Sequence, residues 1–480
     1  MTDQIFTTQP QAGIATGVEI PQAAENVTRT VDPQQEQTPG VISQPPVKRK
    51  FPMTVVLIVL GVILLGVVIF FVVNKIKKIP GKSGEITWWG LWEEESAISP
   101  LISEYEQLNP GIKIKYVKQS KQDYRERLTN ALAKGGGPDI FRFHNSWVPM
   151  FRDELSPVPA SAMGPAEFAQ VYYLVVSADL TSGTGIVGIP LEYDALTLFI
   201  NEDIFSAAGK SPPTTWDDLR NLAIELTKKD DKGNITQSGV ALGRTENVDH
   251  WQEILGLMML QNGVDLSKPV GKLAEDALNF FTIFSKNDGV WNETLPSSTQ
   301  YFAGGKLAMY FAPSWRVFEI TNQNPNLKFK TVSLPQLPKQ GPDQKDVAYA
   351  TYWVEGVWSK SKNKEIAWDF LKFISSKESL SKLYTNAAGQ RSFGPPYPRI
   401  DMAPLLSDHE ILGSIVAKAP FAQSWYLQSR TFDGPTGINS LISKYFEDAV
   451  NSVNAGSSAD EVLQTVAQGV SQVLGQYGYQ

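Results

Sequence analysis

The spacing of hydrophobic positions changes several times along the chain, and each change marks an element. Residues 1–50 are polar, rich in Gln, Pro and Thr, with few large apolar side chains. Such a segment buries too little surface to offset its chain entropy and reads as a disordered tail. Residues 53–73 form a run of 21 without a charge. At about 1.5 Å per residue, a helix of that length spans about 31 Å, near the hydrocarbon thickness of a bilayer. A cleaved signal peptide has a shorter apolar core. Residues 51–78 are therefore expected to be a single uncleaved transmembrane helix with basic flanks, followed by a short linker at 79–84. Lys48, Arg49 and Lys50 before the span are balanced by Lys75, Lys77 and Lys78 after it, so charge gives no orientation.

From Glu85 the pattern becomes strand, helix, strand, helix, strand. Ile86–Trp89 reads as a strand, Glu94–Leu108 as a helix with apolar Ile98, Leu101, Ile102 and Tyr105, and Ile112–Val117 as a half-buried strand. Gln122–Ala133 follows as a helix and Asp139–Phe143 as a third strand. This alternation implies a parallel α/β sheet. Residues 191–201 then read as one strand, or two end to end. Asn201 caps a short helix that stops at Gly209, and Thr214 or Thr215 caps another beginning at Trp216. Helical spacing dominates 252–260, 273–285 and 367–374, strands are expected at 331–335 and 347–359, and 404–476 reads as helical.

The stretch from Gly188 to Leu219 resembles the first interlobe crossing of extracellular solute-binding proteins of the maltose-binding type. Pro190, Tyr193, Asn201, Phe205, Gly209, Pro213, Thr215, Trp216 and Leu219 carry the likeness. It continues in Asn109-Pro110-Gly111, in Gly137-Pro138-Asp139-Ile140, in Phe302 to Met309, and in Ser361 to Phe370, so it covers about residues 85–475. The resemblance implies a two-lobed periplasmic-binding-protein-like fold with a hinge, here preceded by the transmembrane helix. It implies one lobe from 85–195 plus about 346–388 and a second from 196–345 plus about 389–480. It also implies a small-molecule ligand, a saccharide for this type, and docking on the permease subunits of an ABC importer. On this resemblance, and not on charge, the large domain is placed outside the cell membrane and the tail in the cytoplasm.

Composition narrows the chemistry. There is no cysteine, which removes disulfides, thiol catalysis and a lipidated anchor. The three histidines, His144, His250 and His409, are far apart in sequence, so a histidine-based zinc site is not expected. A net charge of −7 without a long basic run outside the membrane flanks argues against nucleic acid as a partner. No cofactor is expected. Gly183, Gly185 and Gly188 have dinucleotide-loop spacing, but Pro190 and a strand follow where a helix must begin.

Twelve tryptophans suit sugars, whose C–H patches are covered by aromatic faces and whose hydroxyls bond to carboxylates and amides. The candidate ligand contacts are Trp89 and Glu93 after the first strand, Asn145 after the third, Tyr193 in the hinge strand, Trp315 in the Pro313–Trp315 loop, and Trp353 with Glu355 on one face of the returning strand. Trp425, Arg430 and Asp433 form a secondary group. No catalytic residue is expected. A membrane-tethered glycan hydrolase would need two of Glu93, Glu192 and Glu355 at a set separation, and the sequence does not impose one. A ligand-sensing adaptor signalling through the tail is the other alternative.

Overall fold

The structure is a computed structural model. It describes residues 83–183, 185–339, 341 and 344–479. The expected tail and the expected transmembrane helix at 53–73 lie outside the described residues. Among the described residues no helix is long and apolar enough to cross a membrane. Pro80–Gln480 forms one compact unit.

The first sheet gathers β1 (Gly84–Gly90), β2 (Ile112–Lys118), β3 (Ile140–His144) and β12 (Trp353–Val357) in the order β12-β3-β1-β2. β1 runs parallel to both β2 and β3, as the strand–helix alternation predicts. β12 pairs antiparallel to β3, with Trp353 opposite His144 and Glu355 opposite Arg142. The sheet is therefore mixed, because its fourth strand arrives from a distant part of the chain. β3 is buried along its whole length, so its two polar members, Arg142 and His144, must find partners inside the protein.

A small hairpin, β4 (Thr181–Ser182) with β5 (Gly185–Ile186), precedes the crossing to the second sheet. That sheet is built from β6 (Thr197–Asn201), β7 (Lys228–Lys229), β8 (Ile235–Val240), β9 (Leu307–Ala312) and β10 (Phe329–Val332), in the order β10-β6-β9-β8-β7. Local chemistry fixes the exit from β6. Asn201 accepts from the Ile204 amide to start the Glu202–Ala208 helix, and Gly209 ends it at φ 63°. Thr215 and Asp218 then form a reciprocal capping box on the Trp216–Leu226 helix.

Three segments meet between the two sheets. Ile189 bridges Glu355, and Ala195 bridges Ala350. β11 (Ala348–Tyr349) pairs with β13 (Ala422–Gln423). Tyr349 is fully buried here and donates to the Leu427 carbonyl at 2.8 Å.

The expectation of helix across 404–476 needs correction. Ser424–Gly437 is an irregular loop between β13 and the Ile438–Asn454 helix. Gly434, Pro435 and Gly437 interrupt helical backbone, and Arg430, Phe432 and Gly434 take left-handed φ values of 55°, 51° and 70°. The last helix, Ala459–Gly475, starts after Ser458, whose side chain makes no capping bond.

Candidate functional site

A cavity of about 370 Å³ opens between the two sheets. On the first lobe its wall is made by residues at or beyond the carboxyl ends of strands: Trp92 after β1, Lys121 after β2, and His144 closing β3. Open α/β sheets hold ligands at these ends. The crossing segments add Glu192, Asp194, Tyr352 and Trp353. The second lobe adds Trp315, Arg316 and Phe318 after β9, with His250 and Glu253 at the start of the Trp251–Gln261 helix. Arg391, Phe393, Ser429, Arg430 and Phe432 close the remaining side.

Of the seven candidate contacts, Trp315 and Trp353 line this cavity and the other five do not. Strand alternation buries Trp88 completely and turns the half-buried Trp89 to the opposite face, away from the cavity. The residue of this stretch that lines the cavity is Trp92, which sits past the end of β1 where the chain turns. Its ring meets Trp353 at 5.4 Å and Phe432 at 6.0 Å. Tyr193 is fully buried against Tyr173 and Tyr352. Its neighbours Glu192 and Asp194 point the other way and reach the cavity. Asn145 is a bracket for the crossing segment. Its Nδ2 donates to Asp179 at 2.9 Å, and its Oδ1 accepts from the Tyr352 amide at 3.3 Å.

Glu93 and Glu355 lie beneath the cavity floor. Arg142 Nη1 meets Glu93 at 2.5 Å, and Arg142 Nη2 meets Glu355 at 2.6 Å. Trp88 Nε1 donates to Glu355 at 2.9 Å. Trp353 and Glu355 do share a strand face, but Glu355 is two residues deeper along it. In the secondary group, Arg430 lines the cavity. Asp433 instead holds the loop by accepting from Asn439 and Ser440, and Trp425 has no place in the wall.

Electrostatics divide the lining into satisfied and unsatisfied groups. Arg142 already holds two carboxylates when it approaches Glu192 at 3.9 Å. Burial pushes the Glu192 carboxyl up to about 8 against the pull of Arg142, with Glu93 adding repulsion. Burial also lifts Asp194 to about 6, while Ser314 and the Ala195 amide favour its ionised form. His144 is pushed down to about 3 by burial. Its ring nitrogens meet Ser146 Oγ and Thr351 Oγ1 at 2.8 and 3.1 Å.

A chain of directed hydrogen bonds runs along the second lobe's side. Arg316 Nε donates to His250 Nε2 at 2.9 Å, which leaves the imidazole proton on Nδ1. Nδ1 faces Ser429 Oγ at 2.9 Å, and that hydroxyl donates to Glu253 at 2.9 Å. His250 therefore cannot take a proton from Ser429, so the pair is not arranged for nucleophilic attack. Burial and the adjacent Arg316 charge both hold the His250 pKa below its ordinary value. Arg316 also covers one face of Trp315, 4.5 Å from its ring centroid.

Sequence reasoning missed Trp92, Glu253, Arg316 and Arg391. Trp92 lies between the candidates Trp89 and Glu93, and Arg316 follows Trp315 directly. Glu253 and Arg391 gave no signal, because long-range packing brings them here.

The family model for bacterial extracellular solute-binding proteins matches residues 89–380. A Brucella abortus (strain 2308) protein with only a provisional binding-protein name is 24% identical over 359 residues, covering 67% of this chain and 83% of that one. The maltotriose-binding protein of Pyrococcus abyssi is 20% identical over 308 residues, 62% of this chain and 64% of that one. Among solved structures, a solute-binding protein from Thermotoga lettingae bound with α-D-tagatose superposes with a TM-score of 0.62 at 22% identity, over 82% of this chain and 100% of that one. The cyclic α-maltosyl-1,6-maltose binding protein of Arthrobacter globiformis gives 0.65 at 18% identity, over 82% and 100%.

Proposed function

The chain belongs to the bacterial extracellular solute-binding proteins, and on that premise we propose that it is the membrane-anchored substrate-binding protein of an ABC importer for saccharides. The observation that carries the reading is the aromatic wall on both sides of one interlobe cavity. Trp92 and Trp353 face it from the first lobe and Trp315 from the second. Aromatic faces cover the C–H patches of a sugar, and the polar groups between them bond its hydroxyls. Relatives named for maltotriose and for a cyclic maltosaccharide support the same ligand class.

In this reading residues 85–195 with 346–388 form one lobe, and 196–345 with 389–480 the other. A ligand that touches both favours their closed arrangement, and closure presents the permease-docking face. Residues 53–73 anchor the protein in the cell membrane, with the binding domain outside and the tail inside. Nothing is done to the ligand: Glu93 and Glu355, two of the three carboxylates a hydrolase would draw on, are locked against Arg142.

Calorimetry against an oligosaccharide panel tests this. A binder should appear with one-to-one stoichiometry and no product. Trp315→Ala should weaken it by about fivefold to tenfold, since losing a stacked ring costs about 1–1.4 kcal/mol. Unchanged affinity would move the site elsewhere, and turnover of any sugar would overturn the binding-protein reading.

A further inference from the structure

We propose that the saccharide taken by this cavity is negatively charged, its anionic group being met by Lys121 and Arg391. This rests on the saccharide reading above and narrows it. Asp194, Glu253 and Glu319, which line the cavity, accept hydrogen bonds from the protein, except at Glu253 Oε2, which has no hydrogen-bond partner among the described residues. Asp194 accepts from the Ala195 amide, the Ser314 amide and the Ser314 hydroxyl. Glu253 accepts two bonds from Ser429, and Glu319 is paired with Arg316. The Glu192 carboxyl is pushed up to about 8 by burial, against the pull of Arg142 and the weaker pull of Arg391, because Arg142 is already matched by Glu93 and Glu355. Its charge is thus weakened relative to a free carboxylate.

The cations are in the opposite condition. Among the described residues neither Lys121 nor Arg391 is in an ion pair; each lies over an aromatic ring. Lys121 Nζ is 5.5 Å from the Phe432 ring centroid, and Arg391 Cζ is 4.9 Å from that of Phe318. A ring face positions a cation without neutralising it. Arg391 Nε donates to the Phe393 carbonyl at 3.0 Å, which leaves its terminal nitrogens for a ligand. Arg430 adds a third, weakly held charge: its 3.4 Å contact is to Asp249, a carboxylate that Arg316 already approaches at 3.2 Å. Lys121 follows β2 in the first lobe, and Arg391 packs on the Arg316–Gln323 helix of the second. Cations outside any ion pair thus stand on both sides of the cleft. A sugar carboxylate or sulfate matches them, and the guanidinium suits bidentate contact with either.

Titration calorimetry on the full chain in nanodiscs would compare trigalacturonate and triguluronate with their methyl esters, which keep the shape and lose the charge. A sulfated chondroitin disaccharide and uncharged maltotriose complete the set. The expected result is that at least one acidic probe binds about tenfold or more tighter than any uncharged one, with affinity falling as salt rises. Lys121→Gln should remove about tenfold from the acidic probe and cost the esters much less. The Lys121 side chain makes no hydrogen bond or ion pair among the described residues, so this variant remains informative if Arg391→Gln disturbs the Phe318 and Phe393 packing. Whether a uronate or the sulfated probe binds tighter identifies the anion. If uncharged probes bind as tightly as acidic ones, the charge assignment falls and the saccharide reading stands. If no probe binds, the saccharide reading falls and takes this inference with it.

Discussion

Arg142 faces three carboxylates with one positive charge. Glu93 and Glu355 take the short contacts, and Glu192 is left at 3.9 Å on the cavity side. A half-buried acid whose pKa is raised by folding makes stability depend on pH. The Glu192 pKa is raised in the fold from an ordinary 4.5 to about 8. Between those values the folded chain binds a proton that the unfolded chain has released. The contribution is thus fully present below pH 4.5 and lost as pH rises toward 8, at up to about 1.4 kcal/mol per pH unit. Glu192→Gln keeps a neutral donor and removes this dependence. The variant should match the parent near pH 5 and melt at a higher temperature than it near pH 8.5. Parallel Tm curves across that range would show that Glu192 is ionised throughout. At this scale alternation was legible: Trp88 against Trp89, and Glu192 with Asp194 against Tyr193. Depth was not. Trp353 and Glu355 lie on one face, yet one reaches the cavity and the other the core, because two residues of strand separate them along the approach to the cleft.

Among the elements, those whose ends carry their own chemistry were readable. The Asn201 cap, Gly209 and the Thr215–Asp218 box mark two helices from a few adjacent residues. The Ser424–Gly437 loop was not readable, because its course depends on left-handed backbone at Arg430 and Phe432 that no local signal announces. Tertiary contacts hold it, through Ser429 on Glu253 and Asp433 on Asn439. Close approach of one element to another is equally invisible in sequence. Gly256 lies inside the Trp251–Gln261 helix, where alanine would ordinarily add about 1 kcal/mol of stability. A Cβ there would come within 2.8 Å of Tyr349 Cε2. That ring is fully buried on β11 and tied to Leu427, so it has nowhere to move. Gly256→Ala should therefore destabilise by a net of about 1–2 kcal/mol, as overpacking does. A rise in Tm would mean that helix propensity wins and the junction is looser than it looks.

For the whole molecule, the proposed function requires two arrangements of the lobes separated by a few kcal/mol. A ligand that converts a population from 1:99 to 99:1 must favour the closed state by about 5.5 kcal/mol. Contacts on both walls can supply that, because only the closed state makes all of them at once. Small-angle scattering of residues 80–480 should show a smaller radius of gyration with saturating ligand than without. An identical profile with a ligand proven to bind would rule out closure as the signal to the permease. The two-lobed plan was legible because the crossing at 188–219 repeats a recognisable order of turn, strand and caps. The cavity's charge balance was not, since it depends on which of many acids find partners.

The fourth strand of the first sheet has a consequence for synthesis. β12 is made about two hundred residues after the β3 edge it covers. At about 5–20 residues per second, that edge waits roughly 10–40 s for its partner. Through that interval Ile140–His144 presents unpaired amides and carbonyls, with Arg142 still lacking Glu355. An open strand edge invites pairing with another chain. The nascent first lobe is thus open to edge pairing until Trp353–Val357 emerges.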